Sequence, residues 1–107
     1  MKIDITQLLI VFDEQLPLTN EEQKIYWFKS RRRDVTTIVL GVSVYESSVV
    51  LSVYNSSDTL LTSLHLSKCS EIKVLDENRK LLEILHGKEG GRCFLSLVES
   101  SVLEYTN

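Results

Sequence analysis

The sequence predicts a small α+β protein in which an N-terminal helix packs on an antiparallel meander of six strands. Two patterns carry this prediction. Apolar residues recur at helical spacing up to residue 16, and from Val35 to Leu97 they recur at every second position between turn-like clusters. The 107 residues, 43% hydrophobic and 25% charged, have the composition of one globular domain spanning residues 1–107.

The first helix is predicted from Ile5 to about Gln15, because apolar residues recur there every three or four positions. Asp4 precedes this stretch and is expected to act as the N-cap, its carboxylate accepting a backbone hydrogen bond. Pro17 is expected to end the helix, since proline lacks a backbone N–H and restrains the residue before it.

A second, short helix is predicted from Asn20 to about Phe28. Thr19 followed by Glu22 has the spacing of a capping box, which supports a helix start at this point. The consecutive aromatic residues Tyr26, Trp27 and Phe28 suit a strand equally well. The sequence therefore leaves both structures open for this segment.

Six strands are predicted beyond position 34, separated by turns rich in Asn, Asp, Ser and Gly. The C-terminal segment from Val98 to Tyr105 has apolar residues at helical spacing and predicts a short closing helical turn. The six strands are centred, in chain order, on 36–44, 49–53, 60–66, 72–74, 82–84 and 93–97.

Both faces of the predicted sheet carry apolar side chains, whereas a face in contact with water should be polar. The second face includes Val39, Tyr54, Leu61 and Phe94. The N-terminal helices can cover part of one face, and the sheet can curl into a partial barrel. Any apolar area that stays uncovered predicts a contact surface for a second copy, as in a homo-oligomer, or for a partner protein.

Charge and composition exclude several classes. A net charge of −3 and a pI near 5.3 argue against general nucleic-acid binding, which depends on cations that neutralise phosphates. Asp4 interrupts any apolar leader, and no apolar run reaches membrane-spanning length, so a cytoplasmic protein without membrane contact is expected. Cys69 and Cys93 are too far apart in sequence for a secreted disulfide framework.

The candidate chemical residues do not form a recognisable site. His65, Cys69, His86 and Cys93 suit zinc as ligands, but structural zinc sites bring two ligands close together on one knuckle. A Cys93 nucleophile with His86 as its base would need a tight hairpin between them. The sequence therefore predicts no enzyme activity, no cofactor and no metal.

The segment from Tyr26 to Arg33 combines stacking aromatics with cations and could contact single-stranded nucleic acid. Its residues Trp27, Arg31, Arg32 and Arg33 equally match the side chains that dominate protein interfaces. The acidic remainder of the chain favours the protein interface.

The function predicted first is that of a non-catalytic protein-binding module. In size, charge and lack of catalytic motifs the chain resembles a bacterial immunity protein or antitoxin, which implies a cationic toxin, such as a nuclease, as partner. Asp76, Glu77 and Glu83 are the carboxylates expected to face that partner. The alternatives are a nucleic-acid-associated regulator, and a domain that binds a small ligand beneath the N-terminal helix or acts as an oligomeric scaffold.

Overall fold

Two antiparallel sheets and one short helix make up the computed structural model of this chain. The structure describes residues 1–17 and 19–98, and the backbone of residues 104–106. The first sheet has the strand order β1-β2-β3-β4-β5 and the second has the order β6-β7-β8-β9. The elements are α1 (Ile5–Val11), β1 (Glu14–Gln15), β2 (Ile25–Arg31), β3 (Thr37–Ser43), β4 (Ser48–Tyr54), β5 (Leu60–Leu66), β6 (Glu71–Asp76), β7 (Leu81–His86), β8 (Gly91–Ser96) and β9 (Glu104–Thr106).

The predicted α+β class with a single six-stranded meander or partial barrel is wrong, because the protein is mostly β and its strands are divided between two sheets. Strands β3 to β8 occupy the six predicted positions, but β5 and β6 do not pair. The link between them bonds to other turns instead: Cys69 N–H donates to Ser47 O at 2.7 Å, and Gly87 N–H donates to Ser67 O at 3.2 Å. These hydrogen bonds hold in place the link that connects the first sheet to the second.

Helix α1 begins as predicted and ends four residues early. Asp4 is the N-cap, and its carboxylate accepts the Gln7 N–H at 3.1 Å. The helix ends at Val11 because Asp13 is bound to β2: its N–H donates to Ser30 Oγ at 3.2 Å, and its carboxylate accepts the Arg31 N–H at 2.8 Å. Within the described ranges, no helix has the length and apolar character needed to cross a membrane.

The second predicted helix is absent from the described residues, since Ile25–Arg31 forms strand β2. The Thr19 hydroxyl, expected to cap that helix, instead accepts the N–H of Trp27 at 3.1 Å. Residues 21–24 form the turn, where Asn20 Oδ1 accepts the Gln23 N–H at 3.2 Å. The aromatic run therefore follows its strand propensity rather than the capping-box pattern.

The predicted C-terminal helical turn is also wrong for those of its last residues that the structure describes. Residues 104–106 form β9, which pairs antiparallel with Arg92–Phe94 of β8. Residues 99–103 of that prediction lie outside the described residues. A segment with apolar residues at helical spacing is thus used in part as a strand at the edge of the second sheet.

The core lies between the two sheets and is completed by α1. Phe12 after the helix stacks on Phe28 of β2, with ring centroids 5.3 Å apart. Alternate residues of the central strands point into this core, as the period of two requires. The buried apolar residues are Leu8, Val11, Phe12, Tyr26, Phe28, Ile38, Leu40, Val42, Val49, Leu51, Leu66, Cys69, Ile72, Leu82, Ile84, Cys93, Leu95 and Leu97.

Candidate binding surface

The first sheet turns one face away from the core, and we call this its outer face. Strand β2 alternates strictly: Tyr26 and Phe28 are buried, whereas Trp27 and Lys29 are half-buried and Arg31 is exposed. The antiparallel register sets the neighbours of these residues on the same face. The principal outer-face side chains are Trp27, Lys29, Arg31, Val39, Val50, Tyr54 and His65.

Trp27 lies flat across the sheet over Gly41 of β3. The two residues are directly paired, and a Cβ on Gly41 would come within 2.4 Å of the Trp27 ring atom Cζ3. Only a glycine at this position leaves room for the indole to rest on the strand, as in aromatic cover of a strand glycine. The ring is thereby held in one place on the outer face while part of it stays accessible.

The three arginines that the sequence places together do not share one face of the sheet. They are Arg31 at the end of β2, and Arg32 and Arg33 just beyond it. Arg31 is exposed on the outer face, next to Lys29, whose Nζ is 3.7 Å from Glu14 Oε1. The Arg32 side chain is only 8% exposed, and its Nε donates to Thr36 Oγ1 at 2.9 Å. Arg33 is exposed beyond the end of β2. The outer face therefore carries Trp27 and Arg31 together, but not Arg32.

The predicted acidic residues lie in the second sheet and do not form one patch. Asp76 accepts the N–H groups of Asn78 and Arg79, at 2.9 and 3.1 Å, and so holds the β6–β7 turn. Glu77 is exposed in that turn. Glu83 lies in the middle of β7, is only 7% exposed, and has little surface to offer a partner.

Both thiols and one of the two imidazole groups are buried. Cys93 and His86 are buried in the core, whereas His65 is exposed on β5. Burial raises the pKa of the Cys93 thiol to about 11, and burial together with the nearby Cys93 raises the pKa of the Cys69 thiol to about 11. Both thiols are therefore protonated at neutral pH and poorly nucleophilic. Among the described residues, no group of three or more ligands could hold a metal ion.

A cleft of about 430 Å³ lies where α1 meets β6, in the region predicted for a small-ligand pocket. Lys2, Gln7, Glu71 and Lys73 are among its lining residues. Lys2 and Lys73 each have Nζ 3.8 Å from a Glu71 carboxylate oxygen. With Asp4, which also lines the cleft, two cations meet two carboxylates, so the cleft has no net charge with which to select a ligand.

Sequence patterns pointed to Trp27 and Arg31, and separately placed Tyr54 with Val39 on one face of the predicted sheet, but they did not single out Lys29 or His65. The signal for Lys29 was present, because Trp27, Lys29 and Arg31 stand at every second position and share a face once the segment is a strand. That Tyr54 and His65 share this face with Trp27 follows only from the pairing of β2 to β5, which no local pattern fixes.

A comparison with known protein families, curated proteins and solved structures found no match for this chain. The surfaces described above are therefore the basis on which a function is assigned. The outer face, with its held indole and exposed guanidinium, has the side chains best suited to contact another macromolecule.

Proposed function

We propose that this protein is a non-catalytic protein-binding module that contacts its partner through the outer face of the first sheet. The observation that carries the proposal is the placement of Trp27 and Arg31, with Tyr54, on one accessible face of a rigid sheet. Trp, Tyr and Arg are the residues that most often dominate the energetics of protein interfaces. The buried, protonated thiols support leaving catalysis out of the proposal.

The side chains of this face indicate the chemistry of a partner surface that would complement it. Arg31 offers an exposed guanidinium, and the Trp27 indole offers an amphipathic ring with two neighbouring valines. A protein that presents a carboxylate to Arg31 and an apolar group to Trp27 would satisfy both. The partner surface we propose is therefore acidic at its rim and apolar at its centre.

This proposal differs from the toxin-inhibitor hypothesis, which needs exposed carboxylates to mask a cationic active site. Of the three carboxylates expected to do so, Asp76 holds a turn and Glu83 is buried, which leaves Glu77 as the exposed member. A single exposed carboxylate contributes little to the electrostatic steering of a cationic partner or to the specificity of its binding. The outer face offers a larger and more varied set of contacts.

The test compares two charge reversals on opposite sheets. Arg31→Glu changes the outer face, and Arg92→Glu changes another exposed arginine, on β8 of the second sheet. Tagged wild-type protein and both variants are used to capture partners from native host extract. A partner should be recovered at equal stoichiometry with wild type and Arg92→Glu, and lost at least about tenfold with Arg31→Glu.

A Trp27→Ala variant, checked for folding by circular dichroism, should lose the same partner. Equal recovery with Arg31→Glu and Arg92→Glu, or no stoichiometric protein with wild type, would contradict the proposal. Binding of a labelled single-stranded oligonucleotide, abolished by Arg31→Glu, would replace the protein partner with nucleic acid.

A further inference from the structure

Strand β5 (Leu60–Leu66) is an open edge of the first sheet. It pairs with β4 on one side, and no other described strand pairs with its second side. Leu60 and Leu61 are 51% and 56% exposed, and the next two residues are exposed as well. The strand contains neither a charged residue nor a proline, two common means by which proteins block an edge, and its pairing with β4 has one irregularity, between Leu60 and Thr62.

Opposite charges stand just beyond the two ends of this strand. Asp58 lies in the turn before β5, and Lys68 lies in the link after it, and both side chains are exposed. In the part of the chain that the structure describes, neither belongs to an ion pair. Within one copy the strand between them spans about 20 Å, since a strand rises about 3.3 Å per residue, so they are too far apart to neutralise each other.

We infer that β5 pairs antiparallel with β5 of a second copy of this chain, about a two-fold axis at Ser63. Around Ser63, residues equally distant from the axis then face each other, and beyond the irregularity between Leu60 and Thr62 the facing shifts by about one residue. Asp58 of each copy therefore lies beside Lys68 of the other. A parallel arrangement would instead place like charges together at both ends, which is unfavourable. The charge pattern therefore selects the antiparallel pairing.

The pairing satisfies the open hydrogen-bonding groups of β5 and covers its exposed leucines. Because both copies use the same edge, the contact is self-complementary and closes at a dimer rather than continuing into a fibre. The two five-stranded sheets become one continuous sheet. Opposing residues of an antiparallel pair project to the same side, so both outer faces lie side by side. The inference itself does not depend on the proposed function.

The test is a charge swap measured by sedimentation equilibrium over a wide range of protein concentrations. Asp58→Lys and Lys68→Asp each create two repulsive pairs in the dimer and should weaken the dimer at least about tenfold. The double variant restores both attractive pairs and should return to within about threefold of wild type. The backbone tolerates these exchanges, because Asp58 and Lys68 have similar positive φ values of 61° and 53°.

A second comparison tests the apolar part of the contact. Leu61→Lys on β5 should abolish the dimer, whereas Leu75→Lys, at a leucine 50% exposed on β6, should leave it unchanged. A wild-type chain that stays monomeric at all concentrations, or a double variant as weak as the single variants, would overturn the inference. Neither result would affect the outcome of the Arg31→Glu capture experiment, which changes a residue on β2.

Discussion

Strands β5 and β6 follow each other in the chain, and each lies at one end of its sheet, yet they are protected very differently. The β6 edge is covered by the chain's own N-terminus: Lys2 N–H donates to Ser70 O at 2.8 Å, and Ile72 N–H donates to Lys2 O at 3.0 Å. Strand β6 also carries the charged residues Glu71 and Lys73. Among residues 1–17, 19–98 and 104–106, no segment pairs with the free edge of strand β5, and the strand itself carries no charged residue.

This difference shows that the exposure of a sheet edge depends on whether another segment of the chain covers it. Both strands have apolar residues at alternate positions, and although β6 carries charged residues, its sequence does not indicate that the N-terminus covers its edge. Natural sheets usually block long edges, because an open edge pairs with other chains. In the part of the chain that the structure describes, the uncharged, seven-residue edge of β5 is therefore the place where we propose that a second copy pairs.

The largest expected effect comes from comparing apolar residues on the two edges. Ile72→Ala on β6 should lower the free energy of unfolding by about 2–5 kcal/mol, because Ile72 is only 5% exposed. Leu61→Ala on β5 should change it by no more than about 0.5 kcal/mol, since that side chain is 56% exposed. Urea unfolding at concentrations where the chain is monomeric measures both. Similar losses for the two variants would show that β5 is covered within one copy.

An intermediate effect is expected at alkaline pH, from the thiols of Cys69 in the link between the two edges and Cys93 in the core. Burial raises their pKa in the folded state to about 11, from an ordinary value of about 9. The stability that they contribute is therefore complete below about pH 9 and is lost as the pH rises through 11. Each pKa unit corresponds to about 1.4 kcal/mol, so the loss should amount to a few kcal/mol.

The matched control is the double variant Cys69→Ala/Cys93→Ala, whose free energy of unfolding should fall less steeply over the same pH range. The two proteins differ in these two side chains alone, so the difference between their slopes reports the thiols. Equal slopes for wild type and double variant would mean that the thiols are not buried as described.

The smallest effect concerns the cover of the β6 edge. Lys2→Pro removes the N–H that donates to Ser70 O and should cost about 1 kcal/mol of unfolding free energy. Lys2→Ala keeps this N–H and loses only an ion pair whose lysine side chain is 83% exposed, so it should be nearly neutral. Thermal unfolding distinguishes the two variants. If Lys2→Ala were as costly as Lys2→Pro, the ion pair rather than the backbone bond would hold the N-terminal cover.

Parts of the fold that depend on nearby residues are predictable from the sequence. The N-cap at Asp4 needs only a hydrogen bond to Gln7, three residues away, and it forms as predicted. The alternation of apolar residues correctly places six strands, β3 to β8, because the period of two is a property of each strand alone.

Parts that depend on distant partners were not predictable. The capping-box pattern at Thr19 fails because its hydroxyl bonds to the Trp27 N–H of the adjacent strand. The early end of α1 depends on Asp13 meeting Arg31, eighteen residues along the chain. The alternation of apolar and polar residues indicates which side chains of a strand share a face, but not which strand pairs with it. For this reason neither the division into two sheets nor the open edge of β5 could be predicted from the sequence.

Trp27 is the only tryptophan of the chain, and it lies on the surface over Gly41 rather than in the core. In most small proteins the indole emission reports global unfolding, because the ring is buried. Here the fluorescence of Trp27 reports on the outer face of the first sheet. Quenching or a blue shift of its emission would indicate that something has bound at that face, and other parts of the molecule contribute no indole emission. The chain thus contains its own optical reporter, and no dye needs to be attached to follow it.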